Sequence, residues 1–197
     1  HGPSVVVGGV KAYRARYDAS NLHFLLHGDE TALRAEMQRN GLTEAECTIR
    51  HTDKVVAMDE KPAQAMRRGK GSSMWNAIES VKSGEAHAVV SAGNTGALMA
   101  ISKLQLRMAA SGLDRPAIVA SWPTLKGYTA VLDVGANIGS DAKQLLEFAI
   151  MGEAFQCAVH GVANPTVGLL NVGSEDVKGH DEVRTAHGFL RDGGLPI

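Results

Sequence analysis

The segment Ala88-Val89-Val90-Ser91-Ala92-Gly93-Asn94-Thr95-Gly96-Ala97-Leu98-Met99-Ala100 carries residue types suited to holding an anion. It reads as a buried strand that breaks into a glycine-bearing turn and then opens an apolar helix. The first N–H groups of such a helix lack intrahelical partners, and the helix dipole favours negative charge there. Gly93 and Gly96 remove Cβ atoms that would block close approach. Asn94 and Thr95 either cap the helix or donate to an oxyanion. The same design recurs in Val131-Leu132-Asp133-Val134-Gly135-Ala136-Asn137-Ile138-Gly139 and in Val167-Gly168-Leu169-Leu170-Asn171-Val172-Gly173-Ser174-Glu175. Three strand ends with similar polar equipment predict one phosphate or other anion site at the carboxyl edge of a parallel sheet. Asn171 is placed at that site. Asp133 and Asn137 are expected to organise its neighbouring loop, because a carboxylate aimed at phosphate would repel it. Ser72 and Ser73 cap another helix, whose start either takes an anion or is simply capped.

The elements that must position these residues follow from periodicity and punctuation. Residues 4–17 read as a helix, with Ser4 as its cap after Pro3. A short strand over 22–26 ends at His27-Gly28-Asp29, a helix over 31–40 is closed by Gly41, and 48–51 is a second strand. A helical turn is expected over 63–68, followed by a helix from Ser72-Ser73 to about Ser83-Gly84. A strand over 87–91 precedes the helix from Thr95 to Ala110. Strands at 118–121 and 129–132, a helix over 141–155, a strand over 167–172 and a helix over 181–190 complete the pattern. Strands alternating with helices predict a single α/β domain over 1–197, a three-layer αβα sandwich with a mostly parallel, Rossmann-like sheet. The chain starts without a methionine and stops in what reads as a loop, so it is expected to be a piece of something longer.

Composition narrows the function. The 197 residues are 44% hydrophobic and 21% charged, as in an ordinary soluble globular protein. A net charge of -1 supplies no global attraction to nucleic acid, and 5% aromatic content supplies no stacking platform, so no nucleic-acid partner is expected. Cys47 and Cys157 lack metal-site spacing and fit a reducing cytoplasm. None of the eight histidines pairs at ligand spacing. Neither a metal nor a cofactor is expected. No G-x-G-x-x-G follows a predicted strand, and Gly69-Lys70-Gly71-Ser72 has Gln64 where a P-loop needs its first glycine. There is no G-x-S-x-G elbow for an acyl-serine mechanism. Arg67, Arg68 and Lys70 form a local basic cluster, which by itself reads as a solvated face.

Taken together, Gly2-Pro3, Pro62 through Arg67 leading into Ser72-Ser73-Met74, and Ser91 through Met99 resemble the bacterial acyl-acyl-carrier-protein:phosphate acyltransferase (PlsX) family. Further matching pieces are Asp114-Arg115-Pro116-Ala117, Leu132 through Asn137, Phe148 through Gly152, and Leu169 through Gly173 leading to Glu175 and Lys178-Gly179. They fall in the family's order over essentially the whole chain. A family opening strand with Asp-x-Met-Gly-Gly-Asp, and a later part with Asp-Gly-Phe-x-Gly-Asn, are not in the sequence. The resemblance implies transfer of a fatty acyl group from an acyl carrier protein thioester to inorganic phosphate, giving acyl phosphate for phospholipid synthesis. It implies that Lys178, otherwise an ordinary loop lysine, is catalytic, holding phosphate or stabilising the tetrahedral oxyanion. By electrostatic complementarity, the sharper reading of Arg67, Arg68 and Lys70 is a landing patch for the acidic carrier protein or its phosphopantetheine phosphate. A cytoplasmic homodimer, peripheral to the inner face of the membrane and feeding a downstream membrane acyltransferase, is implied as well. Two alternatives stay open: a phosphate acetyltransferase-like enzyme using a coenzyme A thioester, and a non-catalytic phosphate-binding fragment.

Overall fold

The computed structural model describes residues 2–135, 139–173 and 179–193. It is a mixed α/β structure that divides into two compact units, His1–Arg107 and Met108–Ile197.

The first unit opens with helix α1 (Gly2–Arg16). Pro3 sits in its first turn, where a missing N–H costs nothing, so Ser4 lies inside the helix and not at its cap. Strand β1 (Phe24–Gly28) leads through Asp29 into helix α2 (Glu30–Asn40). The Asp29 side chain accepts the Ala32 N–H at 2.7 Å, and Gly41 ends the helix in the left-handed conformation with φ 69°. Strand β2 (Cys47–His51) then pairs parallel to β1, with Phe24 opposite Cys47 and Gly28 opposite His51. Val7 and Val10 of α1, Leu26 of β1, Leu33 and Met37 of α2, and Cys47 of β2 form one core. The second core of this unit is helical. It joins Ala65 of α3 (Pro62–Arg68), Met74 and Ile78 of α4 (Ser73–Lys82), and Ala97 and Ile101 of α5 (Thr95–Leu106).

In the second unit, β3 (Val119–Thr124) and β4 (Gly127–Leu132) form an antiparallel hairpin. Both strands were expected, but in a mostly parallel sheet. The two-residue connection Leu125-Lys126 decides otherwise, because a parallel partner needs a crossover of a dozen or more residues. Helix α6 (Ala142–His160) begins with a capping box between Asp141 and Gln144, and Gly161 closes it at φ 67°. Its Gly152 lies against β4: a Cβ there would fall 2.9 Å from Leu132 Cδ1. Helix α7 (Asp181–Asp192) packs along α6 and buries Ala186 and Leu190.

Two expected strands are irregular instead. Residues 87–91 and 167–172 pair with no strand among the described residues, and Val90 and Leu170 are exposed. Apolar runs of this length license a strand only where a neighbour completes the ladder. Helix α5 also stops at Leu106, four residues short of Ala110, because Arg107 after it has a φ of 65°, which cannot continue a helix. Among the described residues no helix is long and apolar enough to cross a membrane.

Ile101 is fully buried where α3, α4 and α5 meet. Ile101→Ala is therefore expected to cost about 2–5 kcal/mol in denaturant unfolding, whereas Leu104→Ala on the exposed side of the same helix should cost under about 1 kcal/mol.

Candidate functional site

The turn before α5 is built from the residues the sequence singled out. Ser91 Oγ accepts the Gly93 N–H at 3.1 Å and starts the bend. Asn94 is 8% exposed and caps α5: its Oδ1 accepts the Ala97 N–H at 3.0 Å. Its Nδ2 is equally committed, donating to the carbonyls of Ala57 and Met58 at 3.1 Å and of Glu60 at 2.8 Å. Its N–H donors are thus spent, and the side chain has none left for an anion. What remains are the Thr95 and Gly96 N–H groups, which no acceptor takes among the described residues, and the exposed Thr95 hydroxyl.

Both glycines of the turn lie against neighbouring side chains. A Cβ on Gly96 would fall 2.9 Å from Pro62 Cγ at the start of α3, and one on Gly93 would fall 3.1 Å from Met74 Cε of α4. The turn therefore lies at the junction of three helix starts. Ser72 is fully buried, and its Oγ accepts the Trp75 N–H at 3.3 Å. The Ser73 N–H donates to the Lys54 carbonyl at 2.9 Å. The start of α4 is consequently closed by its own cap and by the segment after β2, which makes the structural role of Ser72 and Ser73 concrete. The same segment orders the basic loop. Lys54 Nζ donates to the Lys70 carbonyl at 2.8 Å, and Thr52 Oγ1 donates to the Gly71 carbonyl at 2.7 Å. Arg67, Arg68 and Lys70 are all exposed, and Lys54 joins them as a fourth cation.

In the second unit, Asp133 has φ 61°, a conformation unusual for a residue with a Cβ, and its Oδ2 accepts the Ser140 hydroxyl at 2.8 Å. It spans the loop that contains Asn137, which itself lies outside the described residues. Asn171 is exposed, accepts the Val172 N–H through Oδ1 at 2.9 Å, and abuts Gly179, whose φ of 95° suits only glycine. Lys178 lies outside the described residues.

Two polar clusters have no counterpart in the sequence reading. At the carboxyl end of β1, His27, Arg50, His51, Asn76, Ser80 and Glu85 line an open cleft of about 320 Å³. Ser80 Oγ donates to Glu85 Oε2 at 3.2 Å, so its 3.3 Å contact with His27 Nε2 requires that nitrogen to carry the proton. Ser80 is then not activated as a nucleophile. His27 Nδ1 is left as a buried lone pair without a partner, and burial holds the imidazole pKa below its usual range. Glu85 is held low by its hydrogen bond from Arg50. The other cluster centres on buried Glu147 of α6, whose Oε2 accepts the Asp114 N–H at 2.8 Å, while Lys143 Nζ lies 2.7 Å from Asp114 Oδ2 and 3.4 Å from Glu147 Oε1. Both link residues 29 or more apart in sequence, beyond what local spacing reveals. Asp29, His51 and Asp53 also lie close enough to share a cation. His51 Nδ1, however, accepts the Glu30 N–H, which puts the proton on Nε2 facing Asp53 and leaves no free ring lone pair.

Architecture and site together define a mixed α/β protein that presents a capped helix start beside a glycine turn. The chain belongs to the fatty acid synthesis protein family, whose model matches residues 1–195. It is 65% identical over 192 residues to the phosphate acyltransferase of Caulobacter vibrioides, covering 98% of this chain and 52% of that protein. With the phosphate acyltransferase of Phenylobacterium zucineum it shares 62% over 197 residues, covering 100% of this chain and 55% of the other. The phosphate acyltransferase of Maricaulis maris is 55% identical over 196 residues, covering 100% and 56%. The chain spans about half the length of these curated relatives.

The neutral state of His27 has a measurable consequence. A base whose folded pKa is depressed contributes stability that is present above its unfolded pKa, near 6.5, and lost as the pH falls from there through the lower folded pKa. Unfolding midpoints are therefore expected to fall between about pH 7.5 and pH 5, ahead of carboxylate titration, and His27→Gln should flatten that drop.

Proposed function

We propose that this chain is part of a phosphate acyltransferase that moves a fatty acyl group from an acyl carrier protein thioester to inorganic phosphate. The observation that carries the reading is the turn at Gly93–Gly96 in a chain of this family. Its capped helix start offers the unpaired N–H groups of Thr95 and Gly96 to an anion, while the side chain that sequence reasoning would have placed on the anion is occupied in holding the turn.

The chemistry asks for little beyond such a site. Phosphate is anionic near neutral pH and needs no strong base to attack the thioester carbonyl. One phosphate oxygen forms the new C–O bond, negative charge collects on the carbonyl oxygen, and the C–S bond then breaks to leave the carrier thiolate, which takes up the proton that hydrogen phosphate gives up on becoming acyl phosphate. Catalysis then consists of holding phosphate in line and offsetting the developing oxyanion. The Thr95 and Gly96 N–H groups and the Thr95 hydroxyl serve the first task. Lys178 is assigned to the second, or to phosphate, on the family resemblance. Asp133 and Asn137 shape their loop, and Asn171 lies beside Gly179, next to Lys178 in sequence. The exposed cations Arg67, Arg68 and Lys70, with Lys54, suit an acidic carrier protein.

The finer architecture belongs to the same reading. The parallel β1–β2 pair with its intervening α2 is the βαβ unit of a mostly parallel, three-layer αβα domain, to which residues 1–197 contribute a part. A homodimer, cytoplasmic and peripheral to the membrane with a membrane acyltransferase downstream, follows from the resemblance.

The test is phosphate-dependent thiol release from a long-chain acyl carrier protein thioester. In the longer protein, Lys178→Ala is expected to lower turnover by about two orders of magnitude or more with unchanged thermal unfolding. Near-normal turnover in that variant removes Lys178 from the mechanism. Acyl transfer from a coenzyme A thioester, competed by free adenine nucleotide and indifferent to Arg67→Glu with Arg68→Glu, would replace the carrier protein as donor.

A further inference from the structure

Asn94 is nearly buried and makes hydrogen bonds in two directions. One carboxamide atom caps α5, and the other gathers the carbonyls of Ala57, Met58 and Glu60. The partners fix the orientation, since Oδ1 faces an N–H and Nδ2 faces only carbonyls. Three converging carbonyl oxygens place partial negative charge beside the helix start. Left bare, they would compete for the first N–H groups of α5 and repel an anion arriving there. The segment that carries them has other anchors: Glu60 N–H returns to the Ala57 carbonyl at 3.2 Å, and Val56 packs against the helical core. Capping alone does not ask for an amide, because Ser or Asp caps a helix as well as Asn does. Only the carboxamide supplies an acceptor and donors from one side chain.

We propose that Asn94 is a positioning residue that clamps the 57–60 segment and neutralises its carbonyls, so that the Thr95 and Gly96 N–H groups stay open to phosphate. The inference rests on the phosphate site proposed above. It assigns Asn94 no contact with phosphate.

The experiment is amide hydrogen exchange with and without inorganic phosphate, on the wild-type chain, Asn94→Ser and Asn94→Asp. Both variants keep a capping oxygen, so protection of Ile101 in the body of α5 serves as the folding control. In both, exchange at Glu60 is expected to accelerate by at least about tenfold. The phosphate concentration that protects Thr95 and Gly96 should rise about tenfold or more in Asn94→Ser, and further in Asn94→Asp, which sets a carboxylate against the three carbonyls. Unchanged exchange at Glu60, or loosened exchange with unchanged phosphate protection, overturns the clamp. Failure of phosphate to protect Thr95 and Gly96 in the wild-type chain is a different result. It sinks the phosphate site itself and the clamp with it.

Discussion

Every helix start must find partners for its first N–H groups, and the way each helix here meets that demand organises the structure. Helix α2 is closed by Asp29, α4 by Ser72 with the Lys54 carbonyl, and α6 by the reciprocal pair Asp141 and Gln144. Helix α5 shares its cap residue with a neighbouring segment, and, as at the start of α6, two of its first N–H groups take no acceptor among the described residues. A helix start that the protein does not close by itself is where an anion gains most.

The close approach of backbone around that start rests on residue size. Pro62 opens α3 against Gly96, and Met74 in the first turn of α4 touches Gly93. A side chain at Gly96 would press on the rigid Pro62 ring at the start of α3, whereas one at Gly93 would displace the terminal methyl of Met74 by a few tenths of an ångström. Packing and ligand access therefore depend on the same missing Cβ atoms. The segment after β2 ties this junction to the parallel pair through Thr52 and Lys54. A site made from helix starts thereby inherits the position of the sheet.

Polar groups buried elsewhere serve the frame. Glu147 is buried within α6, with the Asp114 N–H on its Oε2 and Lys143 Nζ 3.4 Å from its Oε1. His27 is the less settled case, with one ring nitrogen bonded and the other buried without a partner. That imbalance costs stability, as an unsatisfied buried polar atom does. It lies at the carboxyl end of a strand, where α/β proteins concentrate function.

Local chemistry was readable wherever neighbours in sequence decide it. The caps at Asn94 and Ser72, the glycine stop at Gly41 and the family motifs follow from residue type and short spacing, whereas α6 runs past its expected end at 155 to His160 before Gly161 closes it. Strand pairing did not follow in the same way. The apolar runs at 87–91 and 167–172 satisfy a strand pattern, but a ladder needs a second chain segment that the pattern cannot name. The role of Asn94 was open for a similar reason: a capping residue and a ligand donor look alike until its distant partners are known. By itself the sequence determined that a polar, glycine-lined helix start follows Ser91 and which family it belongs to. Only the tertiary structure decided that the Asn94 amide is spent on the carbonyls of residues 57, 58 and 60, because hydrogen bonds across 34 to 37 residues are set by packing and not by spacing.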